Sequence, residues 1–249
     1  MKKPILEICT NSVESCVEAQ RGGAARVELC AGMPEGGTTP SYGTIVAARK
    51  NITIDLYVII RPRGGDFLYS EQEIQIMLDD INAAKQCGAN GIVIGCLTAN
   101  GEVDIKTCKR LIEATKPLSI TFHRAFDVCQ NPEKALEDII SLGCQRLLTS
   151  GQCDKAENGI SLLQKLVAQA RDRIIIMPGS GINPQNIVKI AHETGAKEFH
   201  LSARKKVESE MIFRQTKVSM GGTVQVSEYA KDISDAATIA QCIEYLNNL

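Results

Sequence analysis

One pattern, repeated along the whole chain, constrains the fold more than any other feature of the sequence. A short apolar run is followed by polar residues and then by an amphipathic stretch that ends near Gly or Gly-Ala. In the first unit, residues 4–9 read as a strand and residues 12–20 as a helix, and a second strand follows at residues 26–30. Such alternation predicts parallel strands that are joined by helices.

The predicted elements fill the length of a TIM barrel. Six further strands are expected over residues 54–61, 91–96, 118–122, 145–149, 173–178 and 197–201. The other helices are expected over residues 42–50, 71–87, 104–116, 132–142, 155–171, 184–194 and 236–246. The chain has 249 residues, and a TIM barrel takes about 250. We therefore predict an α/β protein with a single (β/α)8 TIM-barrel domain over residues 1–249.

Two features refine this prediction. A doubly wound open sheet is disfavoured, because the turn after the first strand, residues 9–12, lacks the Gly-rich pattern of that fold. After the eighth strand, a long irregular segment at residues 202–235 is expected to cover one end of the barrel or to mediate assembly.

Charge and composition exclude several classes of partner. The net charge is -1, and aromatic residues make up 4% of the chain with no Trp, which argues against a nucleic-acid partner. No apolar run approaches the roughly 18 residues that span a bilayer, so no membrane partner is expected. Glu7 and Asn11 interrupt any signal peptide, which predicts a cytoplasmic protein whose ten Cys are thiols.

Charged residues stand near the ends of several predicted strands, where TIM barrels carry their chemistry. Glu7 and Glu28 lie near the ends of the first two strands, Arg61 ends the third, and His123 and Arg124 end the fifth. Buried charges are costly unless they are paired, so we expect these five to satisfy one another at the barrel mouth. If the protein is an enzyme, these are the candidate catalytic residues, with carboxylates or imidazole as acid or base and guanidinium groups as anion holders.

Glycines after the seventh strand suggest a second feature of the mouth. Gly179 and Gly181 allow backbone N–H groups to approach a ligand, and Ser202, after the eighth strand, adds a hydroxyl. Phosphate sites in barrels often use these two loops. Gly179, Gly181 and Ser202 are therefore the candidate phosphate or anion site, and a turn that needs positive φ is the alternative interpretation.

Two cysteines differ from the others because they end strands. Cys9 follows Glu7 by two residues, and Cys30 follows Glu28 by two, so each Glu shares a strand face with its Cys. Neighbouring strands lie about 4.8 Å apart, which brings both thiols into one sector of the barrel. Two thiolates favour a soft ion such as Cu(I) over Mg²⁺ or Ca²⁺. Simple packing of both thiols is the alternative.

Several strings of the sequence resemble the CutC family of copper homeostasis proteins, from about residue 4 to the last helix. These strings are Leu6-Glu7-Ile8-Cys9, Arg26-Val27-Glu28-Leu29-Cys30, Glu35-Gly36-Gly37-Thr38-Thr39-Pro40-Ser41, Ile60-Arg61-Pro62-Arg63-Gly64-Gly65-Asp66-Phe67, Thr121-Phe122-His123-Arg124-Ala125-Phe126-Asp127 and Leu148-Thr149-Ser150-Gly151. The resemblance implies a cytoplasmic TIM-barrel protein that is linked to copper tolerance. It implies no settled reaction.

Three hypotheses follow. The favoured one is a copper homeostasis protein that binds a copper ion, Cu(I), through Cys9 and Cys30 at the barrel mouth. The second is a TIM-barrel enzyme that acts on a small anionic or phosphorylated metabolite. The third is a non-catalytic scaffold whose segment after Ser202 mediates assembly into a homo-oligomer.

Overall fold

Eight parallel strands close into a barrel, which confirms the predicted fold. The computed structural model describes residues 4–220 and 227–249. The barrel strands are β1 (Ile5–Thr10), β2 (Arg26–Leu29), β3 (Asp55–Ile59), β4 (Gly91–Ile94), β5 (Ser119–Phe122), β6 (Arg146–Thr149), β7 (Ile175–Pro178) and β8 (Glu198–Leu201). They pair in sequence order from β1 to β7, and β8 pairs with β1. An isolated parallel bridge between Gly179 and His200 closes the seam between β7 and β8.

Helices pack around the barrel. They are α1 (Val13–Arg21), α2 (Tyr42–Asn51), α3 (Glu71–Gln86), α4 (Ile105–Thr115), α5 (Pro132–Ser141), α6 (Ile160–Ala170), α7 (Ile187–Thr194) and α8 (Ala236–Asn247). Ser12, which directly precedes α1, caps this helix by accepting a hydrogen bond from the Ser15 N–H. Helices α6 and α7 begin later than predicted, because hydrogen-bonded turns precede them: the Gly159 N–H donates to the Ala156 carbonyl before α6, and the Asn186 N–H donates to the Asn183 carbonyl before α7.

The alternation of side chains along β1 separates two environments. Leu6 and Ile8 belong to the large apolar core of the protein. Glu7 and Cys9, which alternate with them, point to the other face and so into the barrel. The interior of this barrel is therefore polar near β1, and apolar packing lies outside the strands.

The long segment after β8 is not irregular at its base, contrary to the prediction. It forms an antiparallel hairpin of β9 (Arg204–Glu208) and β10 (Ala230–Ser234), in which Arg204 pairs with Ser234. Ion pairs of Lys205 with Asp235 and of Lys231 with Glu14 fix the hairpin to the body of the protein. The strands are mostly charged and lack the apolar alternation that signals a strand, which is why the pattern missed them. Residues 221–226 of the predicted segment lie outside the described residues.

Candidate functional site

Two thiols meet inside the barrel at the carboxyl ends of β1 and β2. Cys9 lies in β1, and Cys30 directly follows β2. Their Sγ atoms are 3.9 Å apart, and both side chains are buried. A single ion bonded to two sulfurs holds them at most about 4.6 Å apart, in a linear arrangement, judged from zinc–sulfur bonds of about 2.3 Å, and closer together when the arrangement is bent. One ion can therefore bridge the pair with little movement of either strand.

A carboxyl group stands beside the two thiols. Ligand atoms of Cys9, Glu28 and Cys30 lie within 4.8 Å of one another, and Glu28, Glu7 and His200 form a second such group. Burial raises the pKa of Glu28 to about 8, and the nearby negative charges of Cys9 and Glu7 add to this, while His200 opposes it. Glu28 is therefore protonated at neutral pH.

Glu7 lies one layer deeper and joins two cations. It accepts hydrogen bonds from Arg26 and from His200 Nδ1, the latter at 2.8 Å. Burial alone would raise the pKa of Glu7, but Arg26 and His200 outweigh it and hold the value at about 2. Glu7 is thus a fixed negative charge below the thiols.

The series of ion pairs and hydrogen bonds that begins at Glu7 continues to the other end of the barrel. Arg26 Nη2 also bonds to Glu198 at 2.7 Å, and Glu198 accepts from Arg146 Nε at 2.7 Å. Arg146 in turn donates to the Tyr57 hydroxyl at 3.1 Å. The barrel interior therefore holds a ladder of alternating charges in addition to branched aliphatic side chains such as Ile59 and Val93, whereas aliphatic layers alone are usual in this fold.

The two thiols differ in their proton affinity. The hydrogen bond from Cys30 lowers the pKa of Cys9 well below its usual value, against burial and with help from His200 and Arg204. The same hydrogen bond and burial raise the pKa of Cys30, so the pair shares one proton. His200 stays cationic: burial would lower its pKa, but bonds to Cys9 and Glu7 raise it.

The thiols form part of the wall of a cavity of about 390 Å³ at the barrel mouth. Arg204, the first residue of β9, stands over it with Nη2 3.9 Å from Cys9 Sγ. The wall consists of Cys9, Glu28, Cys30, Met33, Gly36, Ile59, Arg61, Phe67, His123, Arg124, Leu148, Ser180, Gly181, Ile182, His200, Leu201, Ser202 and Arg204. Four of the five candidate catalytic residues thus line one cavity, and Glu7 lies beneath it.

The predicted pairing among these charges is wrong. Arg61 is bound by loop carbonyls, and Arg124 pairs with Asp127 at 2.6 Å. The carboxylate of Glu7 pairs instead with Arg26 and His200. Strand neighbours therefore pair with Glu7, and loop groups hold the two arginines, whereas Glu28 Oε1 is buried without a hydrogen-bond partner among the described residues.

The predicted anion residues are only partly available. Gly181 and Ser202 line the cavity. The Gly179 N–H donates to the Thr149 carbonyl at 3.0 Å, so it has no free donor for a ligand. Gly179 closes the seam with His200, where a Cβ would lie 2.5 Å from the Leu148 side chain.

Sequence reasoning missed two residues of the site, Arg26 and His200. The signal for His200 was present, because it precedes Ser202 by two residues and must share its strand face. Arg26 precedes Glu28 by two residues in the same way, and strand pairing sets it level with Glu7. The alternation that placed Glu7 and Cys9 inside the barrel therefore also places Arg26 and His200 there.

Fold and site together define a TIM-barrel protein whose mouth carries a buried pair of thiols next to a carboxyl and an imidazole. No helix among the described residues is long and apolar enough to cross a membrane. The sequence model of the CutC family matches residues 4–205, which is most of the chain. The chain belongs to the CutC family.

Individual relatives agree with this assignment. A family protein CutC of Bacteroides thetaiotaomicron is 57% identical over 249 residues, covering 100% of both chains. The human copper homeostasis protein cutC homolog is 47% identical over 235 residues, covering 94% of this chain and 86% of the relative. The crystal structure of a CutC protein from Streptococcus agalactiae superposes with a TM-score of 0.77 at 35% identity, covering 80% of this chain and 98% of that one.

Proposed function

We propose that the protein is a cytoplasmic copper homeostasis protein that binds one Cu(I) ion between Cys9 and Cys30. Its human relative carries the name of a copper homeostasis protein. The observation that carries the proposal is the 3.9 Å separation of two buried Sγ atoms in the wall of an open cavity.

The chemistry of the donors favours a soft ion. Thiolates select Cu(I) or zinc, whereas Mg²⁺ and Ca²⁺ require several oxygen ligands. Glu28 is protonated and His200 is cationic, so neither offers a lone pair as readily as the sulfurs do. The remaining donor set is two sulfurs, which suits Cu(I) better than the four-coordinate geometry that zinc adopts.

The charges around the thiols also suit a monovalent ion. Cys9 is the thiolate of the pair, and Cys30 releases one proton when a metal binds. The cations His200 and Arg204 lie next to Cys9, so they stabilise the negative charge of a bis-thiolate Cu(I) complex.

A competition titration tests this proposal. Reduced protein is titrated with Cu(I) in the presence of a chromogenic Cu(I) chelator, and we expect one ion per chain. The Cys9→Ser, Cys30→Ser double variant should lose this binding. The Cys87→Ser, Cys153→Ser variant is the matched control, since both cysteines are half-buried and neither lines the cavity. Unchanged stoichiometry in the first variant would contradict the proposal.

One observation favours the second candidate function, an enzyme that acts on a small anionic or phosphorylated metabolite. The cavity wall holds a protonated carboxyl, Glu28, which can act as a general acid, together with the guanidinium group of Arg61, which can hold an anionic substrate. Incubation of the protein with pooled organic acids and phosphate esters, followed by mass spectrometry, tests it. Consumption of one compound by the wild type but not by Glu28→Gln supports catalysis, and no consumption by either counts against it.

Assembly into a homo-oligomer is favoured by exposed apolar side chains beyond β9. Ile212 is 99% exposed and Phe213 is 72% exposed, and Met211 beside them is also exposed. Large apolar groups clustered on a projecting segment are typical of association sites. Light scattering should show a smaller particle for Ile212→Ser, Phe213→Ser than for the wild type, and an equal size would exclude this segment from assembly.

A further inference from the structure

Arg61 is a buried cation for which the protein supplies no anion. Only 4% of it is exposed. Its Nη1 donates to the carbonyls of Glu35 and Gly37, and its Nη2 donates to that of Gly65, all at 2.8 to 2.9 Å. Among the described residues the Nε–H has no acceptor in hydrogen-bond geometry, and the Tyr69 hydroxyl, with which Arg61 interacts, is likewise unpaired. Within residues 4–220 and 227–249 no carboxylate forms an ion pair with Arg61: Asp66 pairs with Arg63, and Glu35 Oε2 accepts from the Gly64 N–H at 3.2 Å.

His123 contributes a second buried donor without an acceptor. The Ala125 N–H donates to its Nδ1 at 3.2 Å, so the neutral ring carries its proton on Nε2. Burial and the charge of Arg61 lower the pKa of His123 to about 3, which keeps the ring neutral. The Nε2 has no hydrogen-bond partner in the part of the chain that the structure describes, and the ring is 5.1 Å from that of Phe67.

These two residues belong to one wall. Both line the cavity at the barrel mouth, and both contact the ring of Phe67, with Arg61 Cζ 4.9 Å and the His123 ring 5.1 Å from its centroid. A Cβ at Gly95 would lie 2.4 Å from the His123 ring, so the absence of a side chain there makes room for the imidazole. Buried donors are normally paired, and a buried charge is normally neutralised. The unpaired donors of Arg61 and His123 therefore lack an acceptor that carries negative charge.

We propose that Arg61 and His123 bind the oxyanion of a small organic ligand, either a carboxylate or a phosphate ester. The cavity of about 390 Å³ falls within the usual size range of small-molecule sites and far exceeds the volume of an ion. Ile59, Leu148 and Ile182 line the same cavity, so the body of the ligand has apolar parts. This site is built on β3 and β5 rather than on the loops after the seventh and eighth strands that usually bind phosphate.

The proposed anion site at Arg61 adjoins the proposed copper site at Cys9 and Cys30. The Gly37 carbonyl accepts from Arg61, and a Cβ at Gly37 would lie 3.6 Å from Cys30 Sγ. An anion held by Arg61 therefore lies close to the thiol pair. The inference does not rest on copper, because every group that carries it is a donor of the protein itself.

Titration of copper-free protein with succinate, and separately with inorganic phosphate, tests this site. Ionic strength is held constant with sodium chloride. The readout is the imidazole ¹⁵N signal, which is resolvable because the chain has 3 histidines. We expect a saturable shift of His123 Nε2 with at least one anion, and no shift of the exposed His192. A shift with succinate and not with phosphate identifies a carboxylate site, and a shift with phosphate and not with succinate identifies a phosphate site.

Variants separate binding from folding. Arg61→Gln should weaken the anion about tenfold or more, since hydrogen bonds to charged groups are the strong ones. His123→Asn retains an acceptor for the Ala125 N–H but loses the Nε2 donor, and it should weaken binding about threefold or more, measured from the NMR line width of the anion. The control is Arg110→Gln on the outer surface, which should bind as the wild type does.

Arg61→Gln also loses the contacts of Arg61 with the loop carbonyls, which could unfold the protein. In that case His123→Asn still tests the proposal. Anion binding that is equal in wild type and His123→Asn would overturn the proposal, as would shifts shared by His192 or no saturable shift at all. Because copper is absent throughout, none of these results bears on Cu(I) binding at the cysteines.

Discussion

Cys9 and Cys30 lie side by side although strand pairing sets Cys9 level with Glu28. The register of β1 and β2 aligns Glu7 with Arg26 and Cys9 with Glu28, so Cys30 is displaced by two residues. Strands in a closed barrel are tilted and staggered, which brings such diagonal neighbours into contact. The stagger places the Glu28 carboxyl of β2 beside the Cys9 thiol of β1, and the Cys30 thiol above both.

The ion pairs of Arg26 should be essential for folding. Arg26→Met removes one of the two cations that pair with each of Glu7 and Glu198, whose side chains are almost fully buried, and leaves Glu7 only His200 and Glu198 only Arg146. Removing one partner of a buried pair costs about 3–5 kcal/mol. We expect a loss of this size in the free energy of unfolding, measured with urea.

The surface variant Arg110→Met is the control for this loss. It breaks a pair with Glu71 in which both side chains are more than one-third exposed, and it should cost less than about 1 kcal/mol. Equal losses in the two variants would show that the interior ladder contributes no more than a surface contact.

Protonation of Glu28 should make stability depend on pH. Its pKa rises from 4.5 to about 8 on folding, so the folded protein keeps a proton that the unfolded chain releases. The stabilisation that the carboxyl gains from this proton is present below pH 4.5 and is lost as the pH rises to 8. Glu28→Gln cannot ionise, so its stability relative to the wild type should increase over this range.

Urea unfolding of both proteins at several pH values checks this expectation. The difference between Glu28→Gln and the wild type should grow steadily from acid to mildly alkaline pH. A difference in unfolding free energy that does not change with pH would mean that Glu28 is ionised in the folded protein. The charges assigned to the groups around the thiol pair would then be wrong.

Gly95 should tolerate no side chain. A Cβ there would lie 2.4 Å from the His123 ring and 2.9 Å from the Ala125 Cβ, both of which are buried. Overpacking of this kind costs about 1–3 kcal/mol, so Gly95→Ala should lower the unfolding free energy by that amount.

Gly43→Ala, in α2, provides the opposite expectation. Nothing lies within 4 Å of its Cβ position, and Ala in a helix is favoured over Gly by about 0.5–1 kcal/mol. A neutral or stabilising effect at residue 43 together with a loss at residue 95 identifies steric conflict as the cause. Tolerance at both positions would show that the His123 ring is free to move.

The barrel was predictable because its signal is local and repeated. Each strand and helix has its own apolar period, and the eightfold count together with the length selects the fold. The hairpin of β9 and β10 was not predictable in this way, because contacts of Lys231 and Lys205 with distant carboxylates stabilise it rather than an apolar pattern.

The site was predictable in location and less so in partners. Alternation along β1 and β2 placed Glu7, Cys9, Glu28 and Cys30 on one face, as the structure has them. The contacts of Arg61 depend on carbonyls of two loops, whose conformation no periodicity specifies. Which donor meets which acceptor is therefore a tertiary property.

X-ray absorption at the copper edge tests the central claim most directly. The protein is loaded with one equivalent of Cu(I), and the spectra of the wild type, Cys30→Ser and the control Cys87→Ser, Cys153→Ser are compared. The account predicts two sulfur neighbours in the wild type and the control, and the loss of one in Cys30→Ser. A first shell of nitrogen or oxygen in the wild type, or a spectrum that Cys30→Ser leaves unchanged, would contradict it.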